Sequence, residues 1–229
     1  MLNGYKAVFF DVGGTLLKVH PSVGAVYASH ARDFGFTGDP DDLDRQFLVE
    51  WKNMGGMEGL GRGQGPEVER AFWSDIVRRT FAPFWNIPNF DPFFEHLYQG
   101  FVGRDHWHVF KDVTESRILE RLKERGIVLG VVSNWDSRLQ QILDNVGLAR
   151  YFDFILASTV VGSAKPDTGI FEAALTRSGV APHEACHIGD EPGADLKGAH
   201  DSGIQAILID RDNRHDHHTP KIASFQELL

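Results

Sequence analysis

Several polar residues of this sequence stand where an apolar run ends. Asp11 closes the run YKAVFFD, and Asp190 closes ACHIGD. Ser133 and Asn134 end the run IVLGVVSN, while Lys165 lies in the loop TVVGSAKPDTG between an apolar run and a helical pattern. In open parallel sheets, ligands bind outside the carboxyl ends of the strands. The sequence therefore predicts that two acids, a hydroxyl, an amide and an amine meet at one edge of one sheet.

These side chains are of the types that hold a metal ion and an anion together. Two aspartates repel each other unless a cation lies between them, and a hard, oxygen-ligated ion such as Mg²⁺ suits carboxylates. Ser133, Asn134 and Lys165 supply hydrogen-bond donors and positive charge for the oxygens of an anion. A carboxylate that faces such an anion can act as a nucleophile through an aspartyl-phosphate intermediate. The set predicts phosphoryl transfer at this sheet edge.

The elements that must position these groups alternate between strand and helix after residue 112. This alternation predicts an α/β fold with a parallel sheet covered by helices on both faces. From Pro21 to about Phe110 the pattern is helical and dense in aromatic residues, which predicts a small helical bundle. We therefore expect an α/β core formed by residues 1–19 and 111–229, interrupted by a helical insertion at 20–110.

Local signals predict two helix starts and one loop. Thr114 is expected to cap the helix TESRILERLKERG, and Asp167 the helix DTGIFEAALTRSG. The stretch GGMEGLGRGQG (55–65) contains neither GKS nor GKT and lacks the preceding strand of a dinucleotide-binding fingerprint. We expect it to be a flexible loop of the helical insertion.

Length, charge and cysteine content limit the class of protein. A chain of 229 residues is long enough for one substantial domain, or for a core domain with a smaller insertion. The net charge of -9 argues against a nucleic-acid partner. No apolar run approaches the roughly 18 residues that cross a bilayer, so we expect no membrane partner. The single cysteine, Cys186, and an N-terminus without a signal-peptide pattern predict a cytoplasmic location.

The residues named above resemble, together with their neighbours, the four motifs of the haloacid-dehalogenase-like hydrolase superfamily. The motifs are carried by Asp11 in DVGGT, Ser133 in VVSNWD, Lys165 in AKPD, and Asp190 with Asp195 in HIGDEPGAD. Their order and spacing agree along nearly the whole chain. The resemblance implies a doubly wound, Rossmann-like core, with the helical insertion as an α-helical cap after the first core strand. The branch of phosphatase-like proteins with SNWD at the second motif resembles this chain most.

The resemblance implies a metal site with Mg²⁺ as the cofactor. Asp11 would be both the nucleophile and a metal ligand, and Asp190 would be a second ligand. The ligand that the family takes from the position of Gly13 is a backbone carbonyl, which glycine keeps. Asp195 would orient the metal site from outside the set of direct ligands.

The resemblance also implies how a small phosphorylated metabolite would be held. Ser133 and Asn134 would bind the transferred phosphoryl group, and Lys165 would hold nucleophile and phosphate together. Because the cap closes over the site in this family, Arg62 in the loop 55–65 is a candidate for contact with the substrate. Lys52 is a second candidate on the cap.

Gly13 departs from the pattern of the family's phosphatases, which usually have aspartate at this position. That acid protonates the leaving group and later activates water, and such general acid–base help is worth roughly 10²- to 10⁴-fold in rate. Our hypothesis is that metal and phosphate binding survive while turnover of poor leaving groups is weakened. The turnover of aryl and acyl phosphates would be weakened least.

Three alternative functions fit parts of the pattern. Haloacid dehalogenases also lack the acid but work without a metal, so Asp190 and Asp195 count against that branch. Phosphonate-cleaving relatives carry a small residue here and form a Schiff base with a cap lysine. Lys52, the only lysine between Lys18 and Lys111, is the sole candidate for that role. A catalytically impaired protein that binds a phosphorylated ligand or a partner is the third alternative.

Overall fold

The computed structural model describes residues 2–61, 65–215 and 217–229, and a parallel β-sheet lies at its centre. Within these residues, the sheet has six strands in the order β5-β4-β1-β6-β7-β8, and every neighbouring pair is parallel. This arrangement confirms the predicted α/β fold with a doubly wound core. The strands are, in chain order, β1 (Ala7–Phe10), β2 (Leu17–Val19), β3 (Trp107–Val109), β4 (Val128–Ser133), β5 (Phe154–Ala157), β6 (Ala185–Gly189), β7 (Gln205–Ile209) and β8 (Lys221–Ile222).

Helices cover both faces of the sheet, and the strands are therefore buried on both sides. In β1, Val8 and Phe10 belong to one hydrophobic cluster, whereas Ala7 and Phe9 belong to another on the opposite face. All four side chains are 0% exposed, which is why the run reads as continuously apolar. The helices are α1 (Val23–Arg32), α2 (Pro40–Asn53), α3 (Gly56–Gly61), α4 (Pro66–Phe81), α5 (Phe90–Gly100), α6 (Lys111–Ser116), α7 (Ile118–Glu124), α8 (Leu139–Asn145), α9 (Ser158–Val161), α10 (Thr168–Ser178) and α11 (Lys197–Asp201).

The helices α1 to α5, which we call the helical segment, have a hydrophobic cluster of their own. Tyr27, Leu43, Phe81 and Phe93 are buried in it, and the Phe81 and Phe93 rings meet edge to face. Ser22 caps α1 by accepting a hydrogen bond from the backbone N–H of Ala25. The aromatic density of this stretch thus serves packing. The division of the chain at residues 19/20 and 110/111 stays a prediction.

A two-stranded antiparallel ribbon carries the chain from the sheet to the helical segment and back. Its strands are β2 and β3, in which Lys18 lies opposite His108. The sequence pattern did not indicate this ribbon, because strands of three residues are too short to show an alternation. The short strand β8, at the edge of the main sheet, was missed for the same reason.

Two local predictions were wrong, and one was right only in position. Thr114 does not cap a helix: the chain enters α6 at Lys111 and breaks at Arg117, whose φ is 53°. Part of the stretch 55–65 forms α3 rather than a loop, and residues 62–64 lie outside the described residues. Asp167 precedes α10, as expected, but its side chain makes no capping hydrogen bond.

No helix in the described ranges is both long and apolar enough to cross a membrane.

Candidate active site

The carboxyl ends of three neighbouring strands bring the predicted site residues to one place. Asp11 follows β1, Ser133 is the last residue of β4, and Asp190 follows β6. Since β1 lies between β4 and β6 in the sheet, these ends are adjacent. Lys165 reaches the same place from the loop between α9 and α10. The expected meeting of these side chains is therefore present in the structure.

Asp11 is a buried carboxylate with one oxygen held and the other open. Its Oδ1 accepts hydrogen bonds from Ser133 Oγ at 2.8 Å and from Lys165 Nζ at 2.6 Å. Among the described residues, none donates a hydrogen bond to Asp11 Oδ2. Burial raises the pKa of Asp11 above its ordinary value, although Lys165 and Ser133 oppose part of that rise. The open oxygen is thus available to a ligand, and a neighbouring positive charge would favour its ionised form.

Lys165 is buried between two carboxylates. Its Nζ lies 2.6 Å from Asp11 Oδ1 and 2.5 Å from Asp195 Oδ1. Burial alone would lower the pKa of Lys165. The two carboxylates raise it by more than burial lowers it, so the pKa is higher than usual. The amine is therefore a fixed positive charge beside Asp11.

Asn134 holds the backbone of Lys165. The Lys165 N–H donates to Asn134 Oδ1 at 2.7 Å, and Asn134 Nδ2 donates to the Lys165 carbonyl at 2.8 Å. The sequence predicted Asn134 as a phosphate-binding residue, and that role stays a prediction. The structure adds a second role for Asn134: its side-chain amide fixes the loop that positions the Lys165 amine.

Asp195 lies on the far side of Lys165 and is itself held by a buried histidine. His187 Nε2 donates to Asp195 Oδ1 at 2.8 Å, and the Glu191 N–H donates to Asp195 Oδ2 at 3.0 Å. Burial alone would raise the pKa of Asp195, but Lys165 and His187 lower it more, so it lies well below its usual range. His187 is 0% exposed and was missed from the sequence. The available signal was a polar residue inside the apolar strand ACHIG.

Asp190 completes a cluster of carboxylates. It accepts a hydrogen bond from Thr15 Oγ1 at 3.0 Å, and burial, then the charges of Asp11 and Asp195, raise its pKa to about 7. One carboxylate oxygen from each of Asp11, Asp190 and Asp195 lies within 4.8 Å of the others. Three acids held by a single ammonium leave an excess of negative charge, which a hard divalent cation would offset. The donor set therefore fits Mg²⁺.

Two glycines allow the close approaches on which this cluster depends. A Cβ at Gly14, whose φ is +77°, would lie 2.2 Å from Asp190 Oδ2. A Cβ at Gly189 would lie 2.1 Å from Asp195 Cγ. The backbone carbonyl of Gly13, the third predicted ligand, accepts no hydrogen bond from the described residues, and Gly13 lines the same cavity. It thus remains open to a ligand.

Arg211 fixes the loop that follows Asp11. Its guanidinium donates to the carbonyl oxygens of Gly14 at 2.7 Å and Thr15 at 2.8 Å, and pairs with Asp112 at 3.0 Å. No local pattern indicates this contact, because Arg211 and the two carbonyls are almost two hundred positions apart in the sequence.

A cavity of about 610 Å³ opens from these carboxylates toward the helical segment. Asp11, Lys165 and Asp190 lie at one end of it, while aromatic side chains of α1, α2, α4 and α5 form much of the remaining wall. The loop after Ser133 meets the helical segment through Glu69, which accepts a hydrogen bond from the Ser137 N–H at 3.0 Å, and through Trp73, which donates to Asp136 at 2.7 Å. The cavity is therefore lined jointly by the sheet edge and the helical segment.

Of the two residues predicted for substrate contact, only Lys52 can be placed against the cavity, and it does not line the described wall. Lys52 is exposed on α2, and within the described wall the lining residue is its neighbour Trp51. Arg62 lies outside the described residues. The position of Lys52 gives no support to a Schiff base formed within this cavity.

Comparisons with known proteins connect this geometry to one family. A family model described as haloacid dehalogenase-like hydrolase matches residues 5–203. Haloacid dehalogenase-like hydrolase domain-containing protein 3 of Bos taurus is 36% identical over 207 residues, which is 89% of this chain and 81% of that protein.

Two further relatives are phosphatases by name. A phosphoserine phosphatase of Thermus thermophilus is 32% identical over 157 residues, covering 68% of this chain and 59% of that protein. A HAD phosphatase from Thermococcus onnurineus has a solved structure that superposes with a TM-score of 0.68 at 25% identity, covering 97% of this chain and 95% of that one.

Proposed function

Because the chain belongs to the haloacid dehalogenase-like hydrolase family, we propose that it is a Mg²⁺-dependent phosphatase that acts on a small phosphorylated metabolite. Its family and its phosphatase-type relatives make it a hydrolase. The observation that carries the finer proposal is the state of Asp11, whose Oδ1 is held by Ser133 and Lys165 while Oδ2 is open. A buried carboxylate so oriented suits nucleophilic attack on phosphorus.

In the proposed reaction, Asp11 Oδ2 attacks the phosphorus atom and the bond from phosphorus to the leaving oxygen breaks. The leaving oxygen departs with the bonding electrons, and an aspartyl-phosphate remains. A water molecule then attacks that phosphorus, which releases inorganic phosphate and restores the carboxylate. Ser133 Oγ and Lys165 Nζ supply donors for the phosphoryl oxygens, and Asn134 keeps Lys165 in place. Asp195 and His187 orient Lys165 from its other side.

The metal would be held by Asp11, Asp190 and the Gly13 carbonyl, with Asp195 as an outer partner acting through Lys165. When bound, Mg²⁺ supplies positive charge that offsets the charge of the phosphoryl group and of the carboxylates.

The absence of a carboxylate at Gly13 restricts the leaving group in this proposal. No side chain is present there to give a proton to the leaving oxygen, and the edge of the Trp135 ring lies 3.2 Å from the place of a Gly13 Cβ. We therefore propose that the enzyme favours leaving groups that depart without protonation, such as those of aryl and acyl phosphates.

We further propose that residues 20–110 act as a cap on a core formed by residues 1–19 and 111–229. Support comes from the separate hydrophobic cluster of the helical segment and from the β2–β3 ribbon that carries the chain in and out of it. The cap would supply the contacts that select the substrate.

Hydrolysis of acetyl phosphate tests the proposed function. Its leaving group needs no general acid, so we expect Mg²⁺-dependent release of inorganic phosphate that stops when the metal is chelated. A metal-loaded protein that releases no phosphate from acetyl phosphate or from any ester would contradict the proposal. That result would favour a protein that binds a phosphorylated ligand without turning it over.

Mg²⁺ binding should strengthen as pH rises through about 7. In the metal-free protein burial and the neighbouring carboxylates raise the pKa of Asp190 from its ordinary value of 3.8 to about 7, so its proton competes with the metal below that pH. For the same reason the folded state holds more protons than the unfolded state between these values, and the free energy of unfolding without metal falls as pH rises. We expect Mg²⁺ to raise Tm more at pH 8 than at pH 6. Equal shifts at both values would contradict this, and Asp190→Asn should show little shift at either.

Gly14→Ala should weaken Mg²⁺ binding by about 10- to 100-fold, because the added Cβ would force Asp190 away from the other carboxylates. The matched control is Gly4→Ala, since Gly4 also has a positive φ, +102°, but has nothing within 4 Å of the added atom. A thermal-shift titration with Mg²⁺ compares the two variants. If both bind Mg²⁺ equally well, Asp190 is not a ligand.

A further inference from the structure

The cavity wall provided by the helical segment is a tier of stacked aromatic rings. The Trp51 ring stacks on Phe47, with centroids 5.7 Å apart and planes at 22°, and on Trp73, with centroids 5.7 Å apart and planes at 24°. Tyr27 packs against Phe47 with its ring edge-on. All four rings line the cavity, so this part of its wall is apolar and aromatic.

A second aromatic pair begins beside the nucleophile. The Trp135 ring lies 5.4 Å from that of Trp107, and both line the cavity. The edge of Trp135 is also the nearest neighbour of a Cβ at Gly13, at 3.2 Å. A group bonded to a phosphoryl group at Asp11 would therefore meet an indole ring where the family's phosphatases usually have a carboxylate.

The charged groups of this wall leave little to bind a second anion. Lys165 is committed to Asp11 and Asp195, and Arg138 is paired with Asp136 at 2.6 Å. The Arg138 guanidinium also lies 3.9 Å from the centre of the Tyr98 ring. The remaining cation of the described wall, Lys18, is exposed on β2.

Two tyrosines of the wall have phenol groups without a hydrogen-bond partner among the described residues. Neither Tyr27 nor Tyr98 uses its phenol oxygen in a hydrogen bond with another described residue, although both side chains line the cavity. Ligand sites of this kind combine apolar walls with a few polar groups that fix orientation. The wall thus suits a flat, apolar group that carries one or two hydrogen-bonding atoms.

We propose that the substrate is a phosphate monoester of a flat, uncharged aromatic alcohol, whose ring system lies against these aromatic walls. This inference rests on the phosphatase function proposed above. It also gives a reason for the glycine at position 13, since an aromatic alcohol leaves as a stabilised anion without a proton donor. The cavity volume of about 610 Å³ lies within the range for small-molecule sites, so it can take a ring system of more than one ring.

A comparison of 1-naphthyl phosphate with phenyl phosphate tests the inference on the wild-type enzyme. 1-Naphthol is only slightly more acidic than phenol, so a difference in kcat/KM as large as tenfold reports mainly the binding of the second ring. That ring buries roughly 50 Å² more apolar surface, which at about 25 cal/mol per Å² corresponds to about a tenfold higher kcat/KM. Glucose 6-phosphate should be a far poorer substrate than either ester.

The variants Trp51→Ala and Phe84→Ala test whether the stacked rings are responsible for the preference for 1-naphthyl phosphate. Trp51→Ala removes the centre of the stacked tier, and we expect it to bring the ratio of the two kcat/KM values close to one. Phe84 is 42% exposed and lies outside the described cavity wall, so Phe84→Ala should keep the wild-type ratio. If Trp51→Ala does not fold, Trp51→Leu makes the same test with a smaller loss of volume.

The outcomes separate this inference from the function on which it rests. Hydrolysis of acetyl phosphate with equal kcat/KM for the two aryl esters, or with a preference for the sugar phosphate, would overturn the aromatic substrate and leave the phosphatase function standing. The aromatic substrate is likewise overturned if Trp51→Ala or Trp51→Leu folds and keeps the wild-type ratio. Failure to hydrolyse any of these compounds, acetyl phosphate included, would overturn both.

Discussion

Asp11→Asn is expected to lower kcat for acetyl phosphate by about 10⁴-fold or more. An amide is not a nucleophile toward phosphorus, and it carries no charge with which to hold a metal. The side chain of asparagine has nearly the same shape and can still accept a hydrogen bond from Ser133 Oγ, which lies 2.8 Å from Asp11 Oδ1. Lys165 also keeps its second partner, Asp195, at 2.5 Å. The loss should therefore be one of chemistry rather than of fold.

The control for this prediction is Asp212→Asn, which makes the same change at a carboxylate that is 75% exposed. We expect it to retain wild-type kcat and Tm. If purified Asp11→Asn kept more than a tenth of the wild-type kcat, Asp11 would not be the nucleophile.

Gly13→Asp is expected to raise kcat for an alkyl phosphate by about 10²-fold or more, because the new acid can protonate a poor leaving group. For acetyl phosphate the gain should be small, since that leaving group needs no proton. Gly13 does not have the positive φ that would exclude a side chain. The added Cβ would lie 3.2 Å from the Trp135 ring, which is half-buried at the cavity wall and needs to move by only a few tenths of an ångström.

Gly13→Asn is the matched control for the expected gain in kcat. It brings the same bulk and the same contact with Trp135, but it cannot act as an acid. A steady-state comparison of glycerol phosphate with acetyl phosphate in both variants separates the two effects. Equal kinetics of Gly13→Asp and Gly13→Asn would show that the missing acid does not limit turnover.

The parts of the fold that could be predicted from the sequence are those set by local pattern. The buried strand β1 is apolar at every position because both faces of the sheet are covered, as the 0% exposure of Phe9 and Phe10 shows. Parallel strands end at a common edge, so Asp11, Ser133 and Asp190 could be expected to meet without knowledge of the strand order. The ribbon β2–β3 and the break at Arg117 leave no such pattern, because each depends on a few residues in a tertiary context.

The contacts that support the site were beyond prediction for a related reason. Arg211, which follows β7, donates to the carbonyls of Gly14 and Thr15 in the loop after β1, and His187 supports Asp195 from inside a strand. Nothing in the local sequence distinguishes Arg211 from a surface arginine, and the polar position within ACHIG marks His187 as unusual without showing which residue it supports. The side chain of Asn134 contacts the Lys165 backbone because the two loops are adjacent, and that proximity exists only in the folded chain.

The most direct test of the account is to identify the residue that becomes phosphorylated. Wild-type enzyme mixed with acetyl phosphate and Mg²⁺, then quenched in acid and digested, should yield a peptide that carries one phosphoryl group on Asp11. The same treatment of Asp11→Asn should yield no labelled peptide. A phosphoryl group found on another residue, or steady turnover by Asp11→Asn, would contradict the central claim that Asp11 is the nucleophile.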